Sequence, residues 1–273
     1  SDRGFTEAIR NAVLDFNVTL VERLTKEPRF DPNLPYDSHR RSGTILHMAT
    51  EGSQLEIMDI LIRAGADVRA RDSSGRTPIM VVEDVNSLAK LILEHSAPTY
   101  DTDKGGRTIW HLAAATNDVD LLKFLWENDP HKARNLVAVC EDGHTPLRAA
   151  FSYIKQLEVL PKGSKGIAPS AARFLLDNCQ DYIHEEGNEQ LARWAIEWGN
   201  LPLLQKIFGL IPQANTNDGS LLRSLNMSAS PGLVSLVLDK CQGLPQQFSD
   251  GKTAAETVIT NVKLFNNRHG FAK

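Results

Sequence analysis

Apolar side chains along this chain recur at helical spacing within short segments. The segment at residues 55–64 is expected to present Leu55, Met58, Ile60, Leu61 and Ile62 toward neighbouring helices. Their spacing makes one side of a helix apolar. Residues 45–52 form a shorter apolar segment just before it, and residues 5–24 alternate apolar and polar positions at the same spacing. The pattern predicts pairs of short α-helices that bury their apolar sides against neighbouring helices.

The helical pattern repeats along the chain. The segment at residues 43–49, G-T-I-L-H-M-A, returns 33 residues later as G-R-T-P-I and a further 31 residues later as R-T-I-W-H-L-A. The same frame continues at residues 144–150, H-T-P-L-R-A-A, and in degenerate form at Gln190, Ser220 and residues 250–254. Repeats of this length stack side by side around one continuous core, so the chain is predicted to form a single domain.

The repeated segment resembles the ankyrin repeat. The T-P-L-H-x-A signature is matched by T-P-L-R-A-A at residues 145–150, and the L-L-x-x-G-A ending by L-I-R-A-G-A-D-V at residues 61–68. The resemblance implies an all-α solenoid of stacked helix-turn-helix units with short hairpin fingers. Over the whole chain it implies eight units, with the end units as caps: residues 1–37, 38–70, 71–102, 103–139, 140–184, 185–214, 215–247 and 248–273.

Turn-forming residues mark where these helices begin and end. Thr-Pro at residues 77–78 is expected to open a helix, because threonine caps free N–H groups and proline is tolerated in the first turn. Gly65 is expected to end a helix with a positive φ. The third unit is about two residues short between its helices, and a small insertion lies at residues 129–133. The fifth unit carries a longer insertion at about residues 157–169, whose Pro and Gly residues predict an exposed loop.

Composition narrows the class of protein. The formal net charge of −4 and the isoelectric point near 6.1 argue against a general nucleic-acid binder. Cys140, Cys179 and Cys241 form no C-x-x-C pair and no even disulfide framework, so a reducing compartment, the cytosol or the nucleus, is expected. The apolar runs are too short for a membrane span, which needs about 20 residues. No signal peptide is recognised at the start Ser1-Asp2-Arg3, and the missing Met permits two interpretations, a fragment of a longer protein or a separate chain.

The sequence contains no catalytic motif. The dinucleotide, P-loop, H-E-x-x-H and G-x-S-x-G patterns and cysteine pairs at zinc spacing are all missing, and K-G-S-K-G at residues 162–166 lacks the Walker spacing. His47 and His111 occupy equivalent positions two units apart, too far to share a metal. The resemblance implies that each histidine hydrogen-bonds a neighbouring turn. We therefore expect no enzymatic activity, no cofactor and no metal, and we interpret the cysteines as small buried hydrophobes.

The resemblance also implies where a partner binds, because ankyrin repeats usually hold partners with the hairpin tips and the exposed ends of the first helices. The tip positions in the first half of the chain are mostly basic: Arg40, Arg41, Arg71, Ser73, Arg76, Lys104 and Arg107. The equivalent positions in the second half are acidic: Glu141, Asp142, Glu185, Glu186, Glu189 and Glu197. Two aromatic residues, Tyr153 and Trp198, map onto first-helix ends, where they act as anchors for a partner unless they belong to the core.

These charges have two interpretations. In the simpler one they only solubilise exposed loops, and Glu51, Asp72 and Asp103 partly offset the basic residues. In the other they form a polar groove, and the N-terminal half of that groove binds an acidic segment of a partner protein. We expect a monomeric protein–protein interaction module that serves scaffolding or recruitment. One alternative is a substrate-recruiting module whose catalytic domain lies outside this sequence, and another is a nucleic-acid binder, which the acidic second half disfavours.

Overall fold

The structure is a computed structural model that describes residues 2–37, 42–156, 170–178, 188–197, 201–210 and 231–240 and the single positions 221, 225 and 253. The chain divides into two compact units, Ser1–Ala149 and Ala150–Lys273. The fold is all-α, as predicted, and consists mainly of short helices. The number of repeat units and their union in one domain stay predictions.

The helices follow one another at short intervals. In chain order they are α1 (Asp2–Leu14), α2 (Val18–Thr25), α3 (Ile45–Glu51), α4 (Leu55–Arg63), α5 (Val85–Ala89), α6 (Ile109–Ala115), α7 (Val119–Asn128), α8 (Lys132–Leu136), α9 (Pro146–Gln156), α10 (Ser170–Asn178), α11 (Asn188–Glu197), α12 (Leu201–Leu210) and α13 (Pro231–Lys240). Two strands, β1 (Pro35–Asp37) and β2 (Ser42–Thr44), pair in an antiparallel hairpin just before α3. This hairpin is the finger that the sequence predicted for the second unit.

The second unit shows how the sequence builds a helix pair. Helices α3 and α4 begin at the predicted residues and end one residue earlier than predicted. The side of α4 that packs inward buries Ile57, Met58 and Leu61 almost completely, each contributing about 1.5–3 kcal/mol of burial free energy. Gly65 follows with φ of +100°, which confirms the predicted helix stop.

The two equivalent histidines each join three backbone and side-chain groups. Thr44 N and Thr44 Oγ1 lie 3.2 and 3.0 Å from His47 Nδ1, and His47 Nε2 lies 2.9 Å from Arg76 O. A carbonyl oxygen only accepts, so Nε2 carries the proton and Nδ1 accepts from Thr44. His111 makes the same three contacts two units later, at 3.2, 3.0 and 3.0 Å. The prediction that these histidines bond neighbouring turns is confirmed.

The third unit is short in its first helix and not between its helices, where the sequence predicted the deletion. Seven positions separate Thr77 from the N-cap Asp84, whereas ten separate Thr44 from the N-cap Gln54, so this segment is three residues shorter. The whole unit, from Thr77 to Thr108, is two residues shorter than the unit from Thr44 to Thr77. Because three residues are nearly one helical turn, its first helix shrinks to a single 3₁₀ turn, Pro78–Val81. Its second helix, α5, continues as a π-helical turn over residues 90–94.

The third unit also lacks the histidine cap. Met80 stands where the second and fourth units have His47 and His111, and its thioether offers only a weak acceptor. The hydroxyl oxygen of Thr77 is buried without a hydrogen-bond partner in the described part of the chain. An unpaired buried polar group of this kind costs about 1–3 kcal/mol. The first helix of the third unit is therefore both shorter and less well bonded than the two beside it.

The small insertion at residues 129–133 encloses a buried carboxylate. Asp129 is 3% exposed and accepts hydrogen bonds from Trp110 Nε1 at 2.7 Å, Thr99 Oγ1 at 2.7 Å and Asn135 Nδ2 at 2.8 Å. Trp110 is fully buried, and its indole N–H makes a bond to this carboxylate that the leucine of the T-P-L-H-x-A signature does not offer. The longer insertion at residues 157–169 lies outside the described residues.

Candidate partner-binding surface

The fingers of the third and fourth units are tight turns closed by an aspartate. Asp72 Oδ1 accepts hydrogen bonds from the backbone N–H groups of Ser74 and Arg76, both at 2.8 Å, and Asp72 N donates to Arg76 O at 2.9 Å. Asp103 makes the equivalent bonds in the next unit, at 2.9, 2.9 and 3.0 Å. These contacts lie within each finger, so its shape does not require a partner.

The arginine that ends each of these turns is paired with the same aspartate. Arg76 Nε donates to Asp72 Oδ2 at 2.8 Å, and Arg107 Nε donates to Asp103 Oδ2 at 2.9 Å. Burial alone would raise the pKa of Asp72, but the Arg76 guanidinium and the turn N–H groups lower it below its ordinary value. The side chain of Arg76 is 13% exposed and that of Arg107 is 47% exposed. Both charges are largely cancelled, and Arg76 has little surface left for a partner.

Arg71 and Lys104 carry the positive charges of these fingers that no described acidic group neutralises. Arg71 Nη1 donates to Gly75 O at 2.8 Å and to Thr102 O, so the guanidinium joins the third-unit finger to the residue just before the fourth-unit finger through neutral carbonyls. A Cβ at Gly75 would lie 2.9 Å from both the backbone nitrogen and Cγ of Lys104. Gly75 also has φ of +77°, which glycine adopts without strain. The two cationic side chains therefore converge on the turn at Gly75.

Successive fingers are hydrogen-bonded to one another through their backbones. The three bonds are Ser73 N to Ser42 O (2.7 Å), Lys104 N to Ser74 O (3.0 Å) and Glu141 N to Gly105 O (2.9 Å). Ser73, Lys104 and Glu141 occupy the same position in consecutive units and are all exposed. They form one row along the finger tips. We call this row, together with the neighbouring charged residues Arg71 and Asp142, the tip row.

The charge changes sign along the tip row at the fifth-unit finger. Glu141 and Asp142 are exposed, and neither carboxylate has an ion-pair partner within the described residues. Burial, followed by the charge of Arg148, lowers the pKa of His144, so this side chain is neutral near pH 7. Arg148 Nη1 donates to Gly143 O at 3.0 Å, so the base of this finger carries one positive charge. The finger is therefore acidic at its tip.

The other residues predicted to bind a partner are not part of this described surface. Arg40, Arg41, Glu185, Glu186 and Trp198 lie outside the described residues. Tyr153 lies in α9, and Glu189 and Glu197 lie in α11, where the backbone is described. Their roles stay predictions. Cys140 is buried, as predicted, whereas Cys179 and Cys241 lie outside the described residues.

The sequence analysis missed a charged cluster on the second helices of the second and third units. Lys90 Nζ lies 2.7 Å from Asp59 Oδ2 and 2.9 Å from Glu94 Oε2, and His95 Nε2 lies 3.0 Å from Asp59 Oδ1. Asp59, Glu94 and His95 each offer an atom that a metal could bind, all within 4.8 Å. The Lys90 ammonium, however, already supplies the positive charge between the carboxylates. We interpret the cluster as a structural ion-pair network that joins two units.

Comparison with known proteins agrees with the repeating caps and turns. The ankyrin-repeat family model matches residues 43–73, which include α3, α4 and Gly65. A putative ankyrin repeat protein of Rickettsia felis is 36% identical over 76 residues, which are 27% of this chain and 24% of the relative. The chain belongs to the ankyrin-repeat family. Ankyrin repeats generally mediate protein–protein interaction and typically form non-enzymatic modules.

Two other relatives place similar segments in much longer proteins. Tyrosine-protein kinase HTK16 of Hydra vulgaris is 29% identical over 156 residues, which are 55% of this ankyrin-repeat chain and 20% of the kinase. The ADP-ribosylation factor GTPase-activating protein AGD2 of Arabidopsis thaliana is 30% identical over 89 residues, which are 31% and 12% of the two chains. The chain thus spans a quarter or less of the length of these relatives. Among the helices that the structure describes, none is long and apolar enough to cross a membrane.

Proposed function

We propose that this ankyrin-repeat chain binds a partner protein or peptide through its fingers and the adjacent first-helix ends, and thereby scaffolds or recruits that partner. The observation that supports the proposal is the preformed tip row. Its turns are held by Asp72, Asp103 and cross-finger backbone bonds, so a partner spends little free energy on ordering them. Arg71, Lys104 and the acidic fifth-unit tip remain available for contacts.

Charge reversal on the tip row tests the proposal. Partners are first identified by proximity labelling or pull-down with the wild-type chain, and binding is then measured for Arg71→Glu/Lys104→Glu. Exposed charges act mainly by steering, so each reversal costs about 0.5–1 kcal/mol and the pair slows association about tenfold at low salt. Raising salt to several hundred millimolar shrinks this difference, because the Debye length falls to a few ångströms.

The matched control is Arg63→Glu/Lys123→Glu, which makes the same change of charge on the second helices α4 and α7. Both side chains are exposed, at 78% and 57%. We expect this variant to bind like the wild type apart from a small effect of net charge. A partner that binds the tip-row variant as fast as the wild type would place the contact elsewhere and overturn the proposal.

A second candidate function is substrate recruitment for a catalytic domain in the same polypeptide. The kinase and the GTPase-activating protein support it, since the matched segments occupy only 20% and 12% of those relatives. The full-length gene decides between the two candidates. If it encodes a catalytic domain, the tip-row variant should raise the KM of that domain for a protein substrate and leave its kcat for a short peptide unchanged.

A further inference from the structure

The unpaired charges of the tip row form two groups of opposite sign. The ion pairs of Arg76 and Arg107 cancel within their fingers, which leaves Arg71 and Lys104 as a cationic pair around Gly75. Glu141 and Asp142 form the anionic pair on the fifth-unit finger. A partner segment that runs along the tips therefore meets first one sign and then the other.

The distance between the two groups follows from the repeat. Equivalent positions in consecutive units are separated by the packing distance of their helices, about 8–10 Å. The backbone nitrogen and Cγ of Lys104 lie beside Gly75, and Arg71 Nη1 donates to Thr102 O, so both cationic side chains start on the side of the 103–106 turn that faces the third-unit finger. Glu141 N bonds the same turn through Gly105 O. The opposite charges are therefore separated by somewhat more than one repeat spacing.

In an extended partner segment, the separation of the two groups of charges favours one spacing between the charged residues. A β-extended chain rises about 3.3 Å per residue, and its side chains alternate between two faces. Residues two apart lie on the same face but span only about 7 Å, whereas residues four apart lie on the same face and span about 13 Å. Residues three apart point to opposite faces.

We propose that the tip row binds an extended protein segment with an acidic residue and a basic residue four positions apart. The acidic side chain binds Arg71 and Lys104, and the basic side chain binds Glu141 and Asp142. This inference rests on the proposed function and specifies the partner more closely. Arg76 and Arg107 contribute to the shape of the fingers, and their charges are not read by the partner.

Synthetic peptides test the spacing directly. Nine-residue peptides with blocked ends, built from Ser, Thr and Val, carry one Glu and one Lys that are two, three, four or five positions apart. Binding to the full chain is followed by amide chemical shifts at low salt, where the Debye length is about 30 Å. We expect the four-position peptide to bind about fivefold more tightly than the three- and five-position peptides. Its shifts should be concentrated at Lys104, Gly105, Glu141 and Asp142.

Two charge variants of the protein test the polarity. Arg71→Glu/Lys104→Glu makes both groups acidic and should prefer a peptide with two Lys four positions apart by about fivefold. Glu141→Lys/Asp142→Lys makes both groups basic and should prefer two Glu at that spacing. The outer-helix control Arg63→Glu/Lys123→Glu should keep the wild-type preference. Circular dichroism of each variant checks that the helices are intact.

The outcomes separate this inference from the proposed function. Equal affinity for all spacings, preference for another spacing, or unchanged preference in the charge variants overturns the inference. If the protein partner nevertheless loses binding in the tip-row variant, the proposed function stands and only the extended dipolar segment is wrong. If both the peptides and the protein partner ignore the tip-row charges, both proposals fail.

Discussion

Replacing His111 by methionine tests the role of the histidine cap, because the chain itself carries methionine at the equivalent position of the third unit. The substitution removes the acceptor for Thr108 N and Thr108 Oγ1 and the donor to His144 O. Thr108 is 1% exposed, so water does not replace the lost partner. Each unsatisfied buried donor costs about 1–3 kcal/mol, and the buried thioether offsets part of this loss. We expect His111→Met to lower the free energy of unfolding by about 2–3 kcal/mol at pH 8.

The pH dependence of this loss gives an independent check. Burial lowers the pKa of His111 and of His47, against opposing contributions from their backbone acceptors and from nearby aspartates. The unfolded chain therefore binds protons below about pH 6.5, where the folded chain still has neutral rings. Stability is fully present above that pH and is lost as pH falls toward the folded pKa. Each histidine contributes a slope of at most about 1.4 kcal/mol per pH unit.

His111→Met should therefore differ most from the wild type at pH 8 and less at pH 5.5, because the variant has one fewer histidine to protonate on unfolding. Urea unfolding followed by circular dichroism across this pH range measures the difference, and hydrogen exchange of the α6 amides localises it. His131→Gln is the control, since that residue is exposed and its ring packs edge-on against Tyr100, with the ring centroids 5.1 Å apart. A gap between His111→Met and wild type that is absent, or that is constant with pH, would refute the capping argument.

Three further substitutions follow from the fold. Met80→His should supply the missing partner of Thr77 and raise the free energy of unfolding by about 1 kcal/mol, which urea unfolding would show as a higher midpoint. An unchanged midpoint would show that the 3₁₀ turn does not form the histidine cap. Gly65→Val should destabilise by about 1–2 kcal/mol, because a β-branched residue resists φ of +100°, and an unaltered Tm would contradict this. Trp110→Phe should cost about 1–3 kcal/mol through the lost bond to Asp129, and equal stability by urea unfolding would remove the buried cluster from the account.

The local structure of the best-matched unit was predictable from the sequence. The bounds of α3 and α4, the positive φ of Gly65 and the role of His47 all depend on contacts within a few residues or on one neighbouring turn. Such contacts recur with the repeat, so their positions follow from the repeat frame. The deletion in the third unit was predicted between the helices but falls in the first helix, because the frame alone does not show which element absorbs a deletion.

The electrostatics of the fingers were predictable only in part. The sequence places Arg76 and Arg107 among the tips, but each arginine lies four positions after an aspartate. In the closed turn this spacing pairs each arginine with its own aspartate. The D-x-x-G-R spacing is present in the sequence at residues 72–76 and 103–107 and is the signal that predicts these pairs. By contrast, the bond from Trp110 to Asp129 joins residues that have no fixed relation in the repeat frame, since Asp129 belongs to an insertion. Its existence follows only from the packed structure.

The position of the cationic pair connects the binding surface to the stability of the third unit. Arg71 bonds Gly75 O and Thr102 O, and these two carbonyls bracket the unit whose first helix is shortest and lacks its cap. Regions with few supporting bonds open locally at low free-energy cost. A segment that binds Arg71 and Lys104 binds the closed form of this unit and should suppress its opening. Hydrogen exchange of residues 78–94 should therefore slow when the four-position peptide is saturating. Equal exchange with and without the peptide would show that binding and local opening are independent.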